Sequence, residues 1–285
     1  MGYEERDAHI IDYQKYELPG IKPYPGGGMF RGPAVLGPKY ISCVGAAQTL
    51  GCFCEKPFPA LLRERLGMET LNLGYGGAGP TFHNSNARLL HYVNASRLVI
   101  VQVLSGRSQS NSLFRVTDHA RTGIRLQDGK EMTSDEFFSE LLAHSPHLAA
   151  QIVEETRRNY VAAVQKLLRD IKPPKILFWF SIRSPDYAED YNLPVSRLLG
   201  AFPQLVNRRM VDEIKTYSDA YVECVSRRGM PQPLFDKYGR PTTVGFKHGI
   251  LDSAERRDTH NRYYPSPEMH EDATTALEAL CRKYF

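Results

Sequence analysis

Four short polar segments hold the side chains of this sequence that are equipped for chemistry. The first is Gln48-Thr49, inside the glycine-bracketed stretch Gly45 to Gly51. The second is GYGGAGP, where Gly76 and Gly77 can present backbone N–H groups to a negative charge. The third is SGRSQSN, with Ser105, Arg107 and Asn111, and the fourth is SIRSPDY, with Arg183. A guanidinium grips planar anions through paired hydrogen bonds, so Arg107 near a glycine loop favours an anionic or strongly polar group. Asp258 and His260, spaced two apart, form a pair suited to proton transfer.

Each of these segments needs a rigid element to hold it. Tyr40 to Val44 reads as a buried strand that runs straight into the first turn, and a helix restarts near Pro57, with Phe58, Leu61, Leu62 and Leu66 at helical spacing. Thr70 to Leu73 is a second strand, followed by a helix from about Thr81 to Val93. Arg97 to Leu104 is apolar on both faces, as a central parallel strand must be. A helix beginning at Ser134 carries Asp135 and Glu136 in its first turn, where the dipole favours them. A longer helix turns Ile152, Tyr160, Val164 and Leu168 inward. Lys175 to Phe180 and Tyr221 to Val225 supply two more strands, with a helix bearing Met210 and Ile214 between them. The last helix opens with Ser266 as cap and Pro267 as first residue.

This alternation predicts an α/β fold: a flavodoxin-like three-layer sandwich with a mainly parallel five-stranded sheet in the order 2-1-3-4-5. In such a sheet ligands lie beyond the carboxyl ends of the strands, where the order reverses. The first and third strands flank that point, so Ala46 to Thr49 is the expected floor of a site. Residues 1–38, rich in Tyr, Pro and Gly, read as an irregular arm packed through Tyr13, Tyr16, Tyr24 and Phe30, and as a surface for homo-oligomer formation. Residues 39–285 form the α/β domain, with an insertion on its rim around 112–133.

The spacing of Gly45, Thr49 and Gly51, G-x-x-x-T-x-G, resembles the first block of the SGNH (GDSL-type) hydrolases, G-D-S-x-T-x-G. The family's aspartate and nucleophilic serine are replaced here by Ala46 and Ala47. Loss of such a serine costs roughly 10⁶ in turnover, so the resemblance implies the fold without ordinary serine-esterase activity, and Thr49 is the hydroxyl nearest the vacant role. The GYGGAGP loop is similar to the second block, which implies an oxyanion contact from Gly76 or Gly77. The third block, G-x-N-D, is altered: Gly106 is followed by Arg107 and Ser108. The resemblance implies that Asn111, through a longer loop, or Arg107 supplies that contact. The family histidine precedes the last helix in D-x-x-H; His270 corresponds in place, with Pro267 at the aspartate position. The segments FRGP, GAAQT-G-F, FPQLVNR and YYPSPEMH also resemble an uncharacterised bacterial family of unknown function, which supplies no activity.

Composition narrows the classes. The net charge of +4 over 285 residues, with no basic block, gives no expectation of a nucleic-acid partner. No apolar run approaches the roughly 20 residues that span a membrane. The charged start MGYEERDAHI does not read as a signal peptide. The odd set Cys43, Cys52, Cys54, Cys224 and Cys281 fits reduced thiols in the cytoplasm. Cys52 and Cys54 lack a second pair at zinc spacing, so neither metal nor cofactor is expected. The function that follows is an SGNH-like protein without the serine, binding or modifying a small polar molecule, acylated or glycosidic. One alternative is sulfotransferase-like group transfer, which the absence of G-x-x-x-x-G-K-[ST] weakens. The other is a non-catalytic structural or assembly module.

Overall fold

Residues along the central strands alternate between two apolar faces, and that alternation builds the layers. The computed structural model describes residues 10–11, 14–19, 21, 30–33, 37, 39–117, 122–246 and 256–285. Its main sheet comprises β1 (Tyr40–Gly45), β2 (Glu69–Gly74), β3 (Leu98–Gln102), β4 (Lys175–Ser181) and β5 (Ala220–Val225). All neighbouring pairs are parallel, in register Ile41 with Thr70, Ile41 with Leu98, Ile100 with Ile176 and Leu177 with Tyr221. Numbered within this sheet, the order is 2-1-3-4-5, the expected one.

Ile41, Cys43, Ile100 and Phe178 point to one face, where they meet Phe58 and Leu62 of α2 (Phe58–Leu66) and Ala273 and Leu277 of α9 (Pro267–Cys281). Val44, Val99, Val101, Leu177 and Trp179 point to the other. They pack on Val93 of α4 (Ala87–Asn94), Tyr160 and Val164 of α6 (Pro146–Asp170), and Met210 and Ile214 of α8 (Arg208–Lys215). A parallel sheet covered on both faces is the three-layer arrangement predicted.

Two element boundaries differ from expectation. The helix expected over Thr81 to Val93 is two helices, α3 (Pro80–Asn84) and α4, because the Asn86 side chain caps the second by accepting the Leu89 N–H at 3.0 Å. Strand β3 ends at Gln102, not Leu104. There the Gln102 side chain binds the Ala46 N–H at 3.0 Å, taking a donor that would otherwise continue the ladder.

Between β3 and α5 (Ser134–His144) lies a three-stranded antiparallel sheet, Phe114–Val116, Thr122–Arg125 and Glu131–Thr133. It occupies residues 114–133 and is sealed by Phe114 and Met132 against Phe137 and Phe138. Of the N-terminal arm, Tyr13 and Tyr24 lie outside the described residues. Lys15–Tyr16 pairs antiparallel with Phe30–Arg31, and Phe30 is buried beside Tyr16 and Tyr75. Among the described residues, no helix is long and apolar enough to cross a membrane, and no cluster of three or more His, Cys, Asp or Glu could hold a metal. All five cysteines are buried free thiols.

Candidate functional site

The turn leaving β1 is built by close approach. A Cβ on Gly45 would sit 2.0 Å from Thr49 Oγ1 and 2.5 Å from Gln102 Oε1, so only glycine fits there. Thr49 Oγ1 donates to Gln102 Oε1 at 2.8 Å, and the same oxygen accepts the Ala46 N–H. The short helix α1 (Ala47–Leu50) then stops at Gly51, which has φ +86°. The G-x-x-x-T-x-G spacing is thus explained locally: the glycine makes room for the threonine, and the threonine ties the turn to β3.

The next two turns dock on the first. The Tyr75 N–H donates to the Gly45 carbonyl at 3.1 Å, and Asn72 Nδ2 donates to the Thr49 carbonyl at 3.0 Å. A Cβ on Gly79 would lie 2.8 Å from the Ser108 carbonyl, which brings the glycine loop against the loop after β3. His83 of α3 is buried near this junction. Burial lowers its pKa to about 4, and the Gly45 backbone, which favours the charged ring, does not offset that.

Beside these turns opens a cleft of about 470 Å³, lined among others by Gln48, Arg107, Asp135, Ser181, Gln204 and Tyr263. Gln48 is only 3% exposed, and its Oε1 is buried with no hydrogen-bond partner. Arg107 Nη1 contacts both carboxylate oxygens of Asp135, at 2.6 and 2.7 Å. Burial works against the guanidinium charge, but Asp135 and Tyr263 more than offset it, so the Arg107 pKa is raised. Ser105 Oγ donates to Gln204 Oε1 at 2.8 Å, and Gln204 Nε2 donates to the Tyr263 hydroxyl at 3.0 Å. Ile182, Ala201 and Phe202 give the cleft its apolar wall, backed by the buried Phe180, Leu199 and Met269.

Of the residues singled out from sequence, Gln48 and Arg107 line this cleft and Ser105 supports it through Gln204. The others are engaged elsewhere. Gly76 and Gly77 are half-buried in the turn before α3, and Gly77 has φ +83°. Asn111 Nδ2 donates to Thr156 Oγ1 at 3.0 Å, while its Oδ1 accepts the N–H groups of Leu113 and Phe114. Arg183 is spent on the carbonyls of Ala201, Ser184, Pro203 and Val206, and its guanidinium lies over the Trp179 and Tyr187 rings. Burial lowers its pKa to about 10. Its contribution to the cleft is to shape the 200–206 loop.

His270 is fully buried on α9 and stacks on Phe58. Its Nδ1 accepts the Phe58 N–H at 3.1 Å, satisfying a donor in the first turn of α2. Burial, with the nearby Arg31 charge, lowers its pKa to about 3. Asp258 accepts the His260 N–H at 2.9 Å and pairs with Arg262, while His260 Nδ1 lies 2.9 Å from Thr259 Oγ1.

Asp135, Gln204 and Tyr263 are among the cleft residues that the sequence does not mark as functional. By sequence, Asp135 is only a dipole-favoured residue at a helix start. Gln204 and Tyr263 lie inside FPQLVNR and YYPSPEMH or at their edge, so the signal was a resemblance without a role. Nothing local shows that Gln204 reaches Ser105, 99 positions away.

A model of a protein family described as a domain of unknown function, DUF6473, matches residues 1–132 and 133–285. The chain belongs to that family. Its uncharacterised standing agrees with the resemblance carried by FRGP and YYPSPEMH. Comparison with curated proteins gives no match. Among solved structures, the chain is similar to the lipase Lip_vut3 from a goat rumen metagenome, with 13% identity, 85% of this chain and 96% of that one covered, and a TM-score of 0.44. It is also similar to a carbohydrate esterase family 2 enzyme with a carbohydrate binding domain from Corynascus thermopiles, with 12% identity, 91% and 70% covered, and a TM-score of 0.40. A third is a putative lipolytic protein of the G-D-S-L family from Desulfitobacterium hafniense, with 13% identity, 87% and 99% covered, and a TM-score of 0.33.

Proposed function

We propose that this chain is a small-molecule-binding protein on an SGNH-like α/β scaffold, and that it does not turn over esters through a serine or threonine nucleophile. The observation that carries the reading is Gln48. On the turn where the resemblance puts the nucleophile's block, Gln48 lines a cleft at the switch point of the sheet, and its buried amide oxygen has no hydrogen-bond partner among the described residues. A buried polar atom without a partner costs about 1–3 kcal/mol, which a ligand in the cleft relieves once the Gln48 amide turns to present the oxygen to it. A volume of about 470 Å³ suits a drug-sized molecule.

The hydroxyls support the second half of the proposal. A hydroxyl has one proton, and a general base must accept it during attack. Thr49 gives its proton to Gln102, Ser105 to Gln204, and Ser181 to the Phe202 carbonyl at 2.5 Å. Each acceptor is a weakly basic amide oxygen, and the His270 ring faces Phe58 instead.

The test is treatment of the whole protein with a fluorophosphonate probe and a short aryl ester. The expected result is no covalent label and no hydrolysis above buffer. A labelled serine with matching turnover overturns the proposal.

A further inference from the structure

We infer that the Gln48 cleft takes a neutral, hydroxyl-bearing amphiphile, a polyol head carrying an apolar body, and not an anion; this rests on the reading of the cleft as a ligand site. The presence of Arg107 invites the opposite conclusion, and its pairing decides against it. Asp135 already neutralises the guanidinium through both carboxylate oxygens. The other arginine on the wall, Arg262, is paired with Asp258 at 2.9 Å. The cleft therefore offers no net positive charge.

The hydrogen-bonding groups point the same way. Gln48 Oε1 has no donor among the described residues, and a turn of the side-chain amide brings either that oxygen or its NH2 group to the cleft. The Asp135 carboxylate has lone pairs left after Arg107 is served. The Tyr263 hydroxyl accepts from Gln204 Nε2, which leaves its own proton to donate. A carboxylate or phosphate head has no proton to give Asp135 and would face its charge. An ammonium head would meet Arg107. A hydroxyl both donates and accepts, so neighbouring hydroxyls on one head serve Gln48, Asp135 and Tyr263 together. Ile182, Ala201, the edge of Phe202 and the Tyr263 ring then cover an apolar chain or ring face.

The experiment is calorimetric titration of the full chain with two probes of matched tail, n-octyl β-glucoside and sodium octanoate, both below their aggregation thresholds. The glucoside is expected to bind at least about tenfold more tightly than octanoate. Gln48→Leu and Tyr263→Phe should each weaken the glucoside by about 3–10-fold, one neutral hydrogen bond. Tyr263→Phe keeps the ring of a 42% exposed residue, so it reads the contact even if Gln48→Leu fails to fold. Octanoate binding as well as or better than the glucoside, and weakened by these substitutions, overturns the head-group assignment while leaving the cleft as a ligand site. Binding of neither probe, or glucoside binding unchanged in both variants, overturns the cleft reading together with the inference.

Discussion

Two depressions of comparable size among the described residues differ in how their polar groups are spent. One, of about 350 Å³, is lined by Arg31, Pro57, Arg63, Glu69 and Asn72. The other is the Gln48 cleft. In the first, Arg31 donates to the carbonyls of Leu50, Gly51, Cys54 and Glu55, Arg63 pairs with Glu69, and Asn72 binds the Thr49 carbonyl while its Oδ1 accepts the Gly74 N–H. Arg31 and Asn72 are used up in holding the segment between β1 and α2, Arg63 and Glu69 tie α2 to β2, and His270 holds the far end of that segment at Phe58. In the second cleft, Gln48 keeps an acceptor that no described residue satisfies. Saturated polar groups mark architecture, and an unsaturated one in a cavity marks a place for something else.

The comparison breaks most visibly at Arg31. Arg31→Ala should cost about 3 kcal/mol or more, since each hydrogen bond from a charged group is worth about 1.5–3 kcal/mol. Urea denaturation measures it, and a loss below about 1 kcal/mol would remove Arg31 from the architectural side.

The buried histidines give the next largest effect. The folded-state pKa values of His270 and His83, about 3 and about 4, lie below the ordinary 6.5. Between about pH 4 and 6.5 the unfolded chain therefore binds protons that the native chain does not. Stability is full above that window and falls as pH drops, by up to about 1.4 kcal/mol per pH unit for each histidine. His270→Gln, whose amide oxygen can still serve the Phe58 N–H, should reduce the slope by about one proton. Denaturation curves at pH 7, 6 and 5 test this, and an unchanged slope would mean that His270 titrates normally.

Gly45→Ala should destabilise by about 1–3 kcal/mol through overpacking against Thr49 and Gln102. A neutral outcome by thermal melting would show that this turn is looser than its contacts imply.

The smallest stability effect is expected where the functional effect is largest. Gln48→Leu removes a buried unsatisfied carbonyl and should be neutral or stabilising by up to about 1 kcal/mol, while ligand binding falls. A clear destabilisation would place Gln48 with Arg31 among the structural residues.

The five-stranded order was legible because each strand is a short apolar run ended by glycine or a polar turn, and parallel connections leave few alternatives. The last helix was legible to its first residue, since Ser266 and Pro267 are local start signals; Ser266 Oγ accepts the Met269 N–H at 3.2 Å. The split at Asn86 was hidden, because the apolar period runs through the break and only the cap marks it.

The candidate site divides on the same physical line. The sequence by itself determined the fold class and the turn after β1, with Ala46 and Ala47 on it, both of which depend on residues within a few positions of one another. Only the tertiary structure decided which polar groups are free. Arg107 and Arg183 look alike in sequence, yet one borders the cleft paired to Asp135 and the other is spent on four backbone carbonyls. Thr49 and His270 are chemically capable residues whose protons and lone pairs are committed to Gln102 and Phe58, more than 50 and 200 positions away. Availability of a hydrogen-bonding group is set by its neighbours in space, and no local pattern encodes them.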